Sequence, residues 1–267
     1  MTNIYLELTR EFNAGRLRAI ISSGQAVVLH RLAVMSKDGD WILREDKSAL
    51  AHILSVLAQH GARYRFGAPL DVRWMRGGWS AHFEFRGDRL RVRTDFVTRP
   101  PRVSEKELAD LWIAQEGCDP PLVDARLLAE IKKTNREKDY AIIGELARTM
   151  LEMRDRILYS RSARDLIALA QAHPDLVSEL AAKRPLLEKV SQGRDALEEA
   201  LDAERRQLMR ANEARLQRYQ QAAETWAGMW PDIDRETRNQ SLPEAHRIIT
   251  ARAEEALPFE VKGAQTW

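Results

Sequence analysis

The first sixty residues alternate between hydrophobic patterns typical of helices and of strands. Tyr5, Leu8 and Phe12 recur at the spacing of one helix face, and Asn13 and Gly15 mark the end of that helix. Further along, short apolar runs typical of buried strands separate segments of helical composition. The pattern predicts helix, strand, helix, strand and helix over residues 3–13, 17–21, 24–32, 40–43 and 47–60.

The hydrophobic period then changes to two, and glycines mark turns between three further runs. This predicts a small meander with strands over residues 70–75, 80–86 and 89–97. In the last run the apolar residues share one face, while Asp95 shares the other face with Arg89, Arg91 and Arg93. Asp95 is therefore expected on the polar, basic side of its strand.

An all-helical remainder follows the proline pair at residues 100–101. Ser104 and Glu107 match a capping box, which opens the first helix of this remainder. We therefore predict two domains, one of residues 1–103 that contains the sheet and a helical one of residues 104–267. The corresponding fold class is α+β.

Cap-like starts at Thr134, Ser162 and Ser241 predict five to seven helices in the second domain. Its longest pattern covers residues 186–226, where apolar residues recur at helical or heptad spacing. One interpretation is a long helix or helical hairpin packed on the rest of the chain. The other is a coiled coil with another chain, which would make this segment the site of a partner protein.

Charge divides the chain into two different halves. Residues 1–103 carry 17 Lys and Arg against 10 Asp and Glu, a net charge of +7, and the remainder carries 25 against 30, a net charge of −5. A basic half that also holds aspartates suits a polyanion site, since its field attracts phosphate while carboxylates hold cations. The other interpretation is that arginine is simply common on this surface.

The sequence also limits the kind of site and the location of the protein. Cys118 is the only cysteine, so an intramolecular disulfide and a cysteine-rich zinc site are excluded, and any metal must be held mainly by oxygen. No run approaches the roughly 18 apolar residues of a membrane span, and the amino terminus does not match a signal peptide. We therefore expect a cytoplasmic protein with no membrane partner.

Three aspartates are the candidates for chemistry. Asp38 and Asp40 stand two residues apart at the opening of a predicted strand, so both side chains project to the same side. Carboxylates of this kind hold pairs of Mg²⁺ ions about 3.5–4 Å apart in phosphoryl-transfer sites. Asp95 would complete the set as a metal ligand and as general base for an attacking hydroxyl. A salt bridge to Arg91 or Arg93 is the alternative explanation of Asp95.

Candidate phosphate contacts lie close to these aspartates in the chain. Ser23 and Gly24 form a turn at a predicted helix start, where backbone N–H groups can bind phosphate oxygens. Lys37 is either a further phosphate contact or a solvated lysine in a turn. His82 and Glu84 share the polar face of a predicted strand, and without a third ligand we interpret them as surface residues.

Within about residues 1–100, three stretches together resemble the polymerase-β-like nucleotidyltransferases: Ser23-Gly24-Gln25-Ala26, His30 and Ser36-Lys37-Asp38-Gly39-Asp40. The likeness is closest to the bacterial minimal nucleotidyltransferases and the abortive-infection toxins. It implies a mixed sheet with flanking helices, dependence on Mg²⁺ or Mn²⁺, and transfer of a nucleoside monophosphate from an NTP to a hydroxyl of RNA, protein or a small molecule. By the same likeness, Asp38, Asp40 and Asp95 form the acidic triad, and Arg136 and Lys138 are nucleotide contacts.

Two departures from the family pattern support an alternative. Ser23 replaces the first glycine of a pair, and Gly39 stands where an apolar residue is usual. These departures favour a catalytically weak or inactive binding or regulatory protein that acts through its helical domain. A third interpretation is nucleic-acid binding by the face that carries Arg89, Arg91 and Arg93. His30 is interpreted as a locally bonded residue at a helix end.

Overall fold

The computed structural model describes residues 3–87 and 90–264. Its single five-stranded sheet has the strand order β1-β2-β5-β4-β3. The sheet is mixed, because β2 and β5 pair in parallel while the other neighbours are antiparallel. The strands are β1 (Ala19–Ser22), β2 (Gly39–Leu43), β3 (Arg63–Tyr64), β4 (Ala81–Arg86) and β5 (Arg91–Val97). With the helices described below, the predicted α+β class is confirmed.

Four helices alternate with these strands: α1 (Ile4–Phe12), α2 (Ser23–Leu29), α3 (Lys47–Gln59) and α4 (Val72–Arg76). The first three were predicted from the pattern and are confirmed. Asn3 caps α1 by accepting a hydrogen bond from the backbone N of Tyr5, and Asp46 caps α3 by accepting one from the backbone N of Ala49. Gly61 follows α3 with a φ of +64°, a conformation that favours glycine.

The strand predicted over residues 70–75 is wrong, because most of this segment forms α4. Asp71 accepts a hydrogen bond from the backbone N of Arg73 at 2.9 Å and starts the helical turn. Trp74 and Met75 are both fully buried, although neighbouring residues of a strand point to opposite faces. The third strand of the antiparallel part is instead the two-residue β3.

Aromatic rings tie α1 to the middle of the sheet. The ring of Trp41 on β2 stacks on Phe96 of β5 at 5.5 Å, and Phe12 of α1 meets the Trp41 ring edge-on at 5.3 Å. The Trp41 indole N–H also donates to the hydroxyl of Thr9 at 2.9 Å. This packing fixes β2 against β5 on the buried face, and the opposite face carries the polar residues described below.

The chain after the sheet is helical, with α5 (Glu105–Ala114), α6 (Ala125–Ile131), α7 (Glu137–Thr149), α8 (Met153–Tyr159), α9 (Ala163–Ala172), α10 (Pro174–Ala181), a 3₁₀ helix (Pro185–Gln192), α11 (Arg194–Ala222), α12 (Glu224–Thr237) and α13 (Leu242–Ala256). The capping box of Ser104 and Glu107 is confirmed. In this described region nine α-helices replace the predicted five to seven. No helix in the described ranges is both long and apolar enough to cross a membrane.

The long pattern over residues 186–226 contains two interruptions. Gly193, with a φ of +97°, separates the 3₁₀ helix from α11, and a break at Ala223 separates α11 from α12. The 29 residues of α11 nevertheless make it the long helix that the pattern predicts. The coiled-coil interpretation stays a prediction.

The chain divides into two compact units, Met1–Val123 with Leu216–Trp267, and Asp124–Arg215. This division differs from the predicted boundary at residue 103. Residues after 103 remain in the first unit because Leu122 pairs with Ile21 of β1, and the backbone N of Ile21 donates to Pro121 at 3.0 Å. The predicted helical domain is therefore divided between the two units.

The carboxy-terminal helices contribute to the first unit through buried aromatic residues. Three indole N–H groups donate to backbone carbonyls far along the chain: Trp74 to Leu257 at 3.0 Å, Trp79 to Pro258 at 2.9 Å and Trp226 to Gly67 at 3.0 Å. Each bond satisfies a buried polar group while the ring adds apolar contact. The amino-terminal sheet and the last fifty residues thus form one core.

A half-buried carboxylate on α11 binds two arginines in the second unit. Glu204 accepts two hydrogen bonds from Arg184, at 3.0 and 2.9 Å, and a further one from Arg161. Arg184 also donates to the carbonyls of Ile157 and Ser160. Burial raises the pKa of Glu204, but the two guanidinium groups outweigh burial and hold this pKa below its usual value of 4.5.

Candidate functional site

One residue from each strand or its extension contributes to a row across the polar face of the sheet. Ser22 of β1 is paired with Asp40 of β2, Asp40 with Asp95 of β5, and Asp95 with His82 of β4. The backbone N of Arg65, just after β3, donates to the carbonyl of His82 at 2.9 Å. Residues paired in register share a face of the sheet, so these side chains lie side by side. We call these five residues the cross-strand row.

A second line of charges runs two residues away on the same face. Asp38 Oδ1 lies 3.9 Å from Arg93 Nη1, Arg93 is paired with Glu84, and Glu84 with Arg63. Glu84 is buried between Arg63 and Arg91, which both donate to its carboxylate. Burial raises the pKa of Glu84, but hydrogen bonds from the two arginines outweigh it and lower the pKa. Opposite charges therefore alternate along this line.

Asp95 is held by two neighbours in the row. His82 Nδ1 lies 2.7 Å from Asp95 Oδ1, and Arg65 Nη1 donates to the same oxygen at 3.3 Å. Asp95 therefore contacts His82 and Arg65 and not Arg91 or Arg93, the partners of the alternative explanation. The side chain of Asp95 is 26% exposed, so the carboxylate remains open to solvent.

Asp38 and Asp40 stand at the opening of β2, as predicted. The backbone N–H of Gly24 donates to Asp40 Oδ2 at 3.3 Å, which connects the start of α2 to the aspartate. A Cβ at position 24 would overlap the Ser36 hydroxyl, so a larger residue there would displace the Ser36 side chain. Among the described residues, no group donates a hydrogen bond to Asp38 Oδ1, although this oxygen is buried.

The Tyr5 phenol lies within electrostatic reach of all three aspartates. Burial raises the pKa of Tyr5, the charges of Asp38, Asp40 and Asp95 raise it further, and a hydrogen bond from the Arg93 backbone opposes them. The Tyr5 hydroxyl donates to the carbonyl of Lys37 at 2.7 Å. The structure therefore brings the three predicted carboxylates into one neighbourhood.

The residues around the predicted phosphate contacts, Ser23 and Lys37, differ in backbone conformation and exposure. Ser23, the first residue of α2, has a φ of +48°, a conformation rare for residues other than glycine. The side chain of Lys37 is exposed beside Asp38. His30 ends α2, as predicted, but its Nε2 lies 2.9 Å from the carbonyl of Val123, 93 residues further along the chain, so this bond is not local.

Arg136 and Lys138 belong to the second unit. Arg136 precedes α7 and donates to the buried carboxylate of Asp139 at 2.9 Å, and Thr134 donates to the same oxygen at 2.6 Å. The Thr134 hydroxyl thus donates to Asp139 and does not form the predicted cap at Glu137. A local ion pair explains Arg136, Lys138 is exposed, and the role of both at a nucleotide stays a prediction.

The aspartates offer oxygen ligands but not a complete preformed metal site. Across residues 3–87 and 90–264, no three His, Cys, Asp or Glu side chains stand close enough together to hold a metal ion. The buried Asp38 Oδ1 without a donor is nonetheless an oxygen that a hard cation suits, and Asp40 lies two residues further on the same side. The residues therefore fit a divalent cation at Asp38 and Asp40, with Asp95 held next to them.

Three contributors to this face were not identified from the sequence. His82 and Glu84 were expected at the surface, but His82 bonds to Asp95 and Glu84 is buried between arginines. Arg65 was not singled out at all. The alternation on β4 signals which face His82 occupies, but the pairing of His82 with Asp95 depends on strand register, which alternation does not specify.

Comparison of this chain with protein-family models, with curated proteins and with solved structures finds no match in any of the three. The residues of the polar sheet face and the motifs along the chain are therefore the basis for assigning a function.

Proposed function

We propose that this chain is a metal-dependent nucleotidyltransferase, which moves a nucleoside monophosphate from an NTP to a hydroxyl group. The observation that carries the proposal is the in-register pairing of Asp40 and Asp95 on adjacent parallel strands, with Asp38 two residues earlier. Carboxylates from two distant parts of the chain then lie near one another, and the charges of all three raise the pKa of Tyr5.

The order of elements around the aspartates supports the same proposal. Ser23 and Gly24 follow β1 and open α2, Asp38 and Asp40 open β2, and Asp95 lies on a later strand next to β2. This order is the one expected from the resemblance to polymerase-β-like nucleotidyltransferases. Gly39, one of the two departures from that pattern, is explained by packing, because Tyr5 and Trp41 occupy the space of its missing side chain.

In this proposal Asp38 and Asp40 hold the divalent cation, Mg²⁺ or Mn²⁺. Such a cation supplies positive charge that offsets the phosphate oxygens of the NTP. Lys37 and the backbone around Ser23 and Gly24 bind the phosphates. The Gly24 N–H donates to Asp40 in this structure, so it contacts phosphate only when Asp40 turns to the cation.

Asp95 completes the proposed site as the base for the acceptor hydroxyl and as an outer ligand. His82 and Arg65 both bond to Oδ1, and they hold the carboxylate in place. The proposal assigns proton acceptance to Oδ2. The basic residues on the same face provide a field that attracts an anionic substrate.

Label transfer tests the proposal directly. The purified protein is incubated with Mg²⁺ and each labelled NTP, against total RNA and against the protein itself. We expect transfer from at least one NTP, reduced about a hundredfold or more in Asp40→Asn, as for loss of a main electrostatic group. Asp110→Asn, at an exposed position on α5, is the control. No transfer from any NTP, or full transfer by Asp40→Asn, would refute the proposal.

The second candidate is a binding or regulatory protein without activity. The observations in its favour are that Asp95 Oδ1 is already engaged and that the described acidic residues form no three-ligand metal group. Calorimetry separates the candidates, because an enzyme of the proposed kind binds NTP more tightly with Mg²⁺ than without it. Binding that is indifferent to Mg²⁺, or absent, favours the regulatory protein.

The resemblance to abortive-infection toxins leads us to propose a role as a toxin or defence component. Expression in a bacterial host is then expected to slow growth, and Asp40→Asn is expected to remove the effect. Equal growth inhibition by the wild type and this variant would contradict a toxin that acts by nucleotidyl transfer.

A further inference from the structure

Ser80, His82 and Asp95 form a continuous hydrogen-bonded chain on the polar face of the sheet. Ser80 Oγ lies 2.8 Å from His82 Nε2, and His82 Nδ1 lies 2.7 Å from Asp95 Oδ1. Ser80 and His82 are two residues apart and so share a face, and Asp95 stands directly across from His82 on β5. The sheet therefore positions a hydroxyl, an imidazole and a carboxylate in series.

The contacts define which nitrogen of His82 carries the proton. An ionised carboxylate only accepts hydrogen bonds, so Nδ1 is the donor to Asp95. In the neutral ring, Nε2 then has a lone pair and accepts the hydroxyl proton of Ser80. This is the arrangement in which an imidazole serves as base for a serine nucleophile and a carboxylate fixes its tautomer.

The ring of His82 is held in this orientation from a third side. A Cβ at Gly67 would lie 2.5 Å from His82 Cδ2, so the backbone passes against the edge of the ring. The backbone N of Ala68 also donates to the Ser80 carbonyl at 3.0 Å, which fixes the residue before β4. The side chain of His82 is 26% exposed, so a small electrophile can approach the chain of groups.

We infer that Ser80 is a nucleophile, activated by His82 and positioned by Asp95, whose substrates are phosphate esters. The phosphorus class follows from charge. Arg65 stands beside His82 in the cross-strand row and contacts Asp95, and Arg93 precedes Asp95 by two residues on β5. Guanidinium groups bind the oxygens of phosphate and offer little to a neutral acyl ester.

The covalent step balances without another reactant. The Ser80 oxygen forms a bond to phosphorus, the bond from phosphorus to the leaving oxygen breaks, and the hydroxyl proton moves to His82 Nε2. The leaving group departs with the electron pair of the broken bond, and the product is a phosphoserine ester at residue 80. The step uses neither an NTP nor a metal ion, although it shares Asp95 with the proposed nucleotidyltransferase site.

A fluorophosphonate probe tests the nucleophile in the full-length protein, with EDTA present and no nucleotide. Attack by Ser80 releases fluoride and leaves a mass increase that peptide mapping locates. Ser48 is the internal control, because its hydroxyl donates to Asp46 at 2.9 Å and no imidazole contacts it in the described structure. We expect labelling of Ser80 at least about a hundredfold faster than that of Ser48, the usual gain from a positioned base.

Matched variants test whether His82 activates Ser80 or whether Ser80 is only accessible to the probe. His82→Gln and Asp95→Asn are expected to lower the Ser80 labelling rate about a hundredfold, and Ser80→Ala to remove this label. His60→Gln is the control, because His60 also bonds to a carboxylate, that of Glu11 at 2.6 Å, but has no hydrogen bond to a serine within the described residues. The comparison of Ser80 with Ser48 within the wild type needs no variant and stands if His82→Gln does not fold.

The substrate class is tested with p-nitrophenyl phosphate and p-nitrophenyl acetate. We expect a burst of nitrophenolate from the phosphate ester that Ser80→Ala lacks. Labelling of Ser80 no faster than of Ser48, or unchanged by His82→Gln, overturns the nucleophile. A burst from the acetate ester alone overturns the assignment to phosphate esters. Transfer from NTP to other acceptors together with an unreactive Ser80 would sink this inference and leave the proposed function standing.

Discussion

Gly39, between Asp38 and Asp40, occupies a position where only a glycine fits. A Cβ there would lie 2.5 Å from Cδ1 of Tyr5 and 2.6 Å from Cζ3 of Trp41. Both rings are buried, and the Trp41 ring is stacked on Phe96, so neither can move aside easily. The residue between the two aspartates thus sets how closely the aromatic core approaches the site.

We expect Gly39→Ala to lower the free energy of unfolding by about 1–3 kcal/mol, the usual effect of overpacking. Gly228→Ala is the matched control, because a Cβ at position 228 of α12 has nothing within 4 Å. This control should be neutral or gain up to about 1 kcal/mol from helix propensity. Urea denaturation measures both, and a Gly39→Ala protein as stable as the wild type would contradict the packing argument.

The sequence allowed the aspartates of the site to be predicted, but not the groups that hold them. Spacing placed Asp38 and Asp40 on one side of a strand opening, and alternation placed Asp95 on a polar face. His82 and Arg65 depend on which residue stands opposite which, and that register is set by the turns and by packing of the buried face. The sequence around a histidine on a polar strand face therefore does not indicate which residue it will contact on the next strand.

At the scale of elements, α13 reaches the sheet through a histidine. The Tyr64 hydroxyl accepts a hydrogen bond from the backbone N of Leu70 at 3.0 Å and lies 2.7 Å from His246 Nδ1. With Leu70 as the donor to its oxygen, Tyr64 donates its own proton to a neutral imidazole. Burial lowers the pKa of His246, Asp71 opposes this shift and Arg73 adds to it.

The lowered pKa of His246 predicts a pH dependence of stability. As pH falls through 6.5, the usual value for histidine, the unfolded chain takes up a proton that the folded chain still excludes. The free energy of unfolding should therefore fall from that pH down to the lower pKa of the folded state. We expect His246→Gln to remove this part of the dependence in urea titrations between pH 8 and pH 5.

The matching control is His173→Gln, which removes an imidazole from the second unit instead. If the slope of stability against pH is the same in the wild type and in His246→Gln, the buried imidazole does not exclude a proton as described.

Helix α11 brings Glu204 to two buried arginines in the second unit. Replacing this carboxylate leaves the charges of Arg161 and Arg184 buried without an acidic partner. We expect Glu204→Gln to lower the free energy of unfolding by about 3–5 kcal/mol, as for breaking a buried ion pair. Glu199→Gln, at an exposed position five residues earlier on α11, should change stability by less than about 0.5 kcal/mol. Thermal unfolding followed by circular dichroism compares the two variants.

Elements with a regular pattern and a cap were predictable, and those decided by tertiary contacts were not. Helices α1 and α3 combine an apolar face with a capping side chain, so local and global preferences agree. Helix α4, with five residues, is too short to show a helical period, and the burial of its consecutive Trp74 and Met75 comes from contacts with the rest of the core. The sequence does not contain that information within the segment itself.

At the scale of the whole molecule, the first unit is discontinuous in sequence. A change from sheet to helix near residue 103 indicated a domain boundary, but secondary-structure composition does not report which helices pack together. The segment before Val123 returns to β1, and the segment after Leu216 supplies α12 and α13. Contacts between the two ends of the chain, such as that of Trp74 with Leu257, decide the division.

A fragment of residues 1–123 should therefore not fold by itself. Trp74 and Trp79 would lose the carbonyls of Leu257 and Pro258, and the apolar surface under α12 and α13 would be exposed. We expect this fragment to aggregate or to bind a hydrophobic dye, with tryptophan emission shifted to the red. Co-expression with residues 216–267 is expected to restore the native emission, and a fragment that folds without them would contradict the shared core.

The discontinuous first unit also determines when its core can be completed during synthesis of the chain. Asp38, Asp40 and Asp95 are translated well before α12 and α13, which contribute to the core around their sheet. A growing chain that already contains these three carboxylates therefore still lacks part of the core of its first unit until α12 and α13 emerge from the ribosome. Nascent chains that end between these two segments expose apolar surface of the incomplete core, which is the kind of surface that chaperones bind.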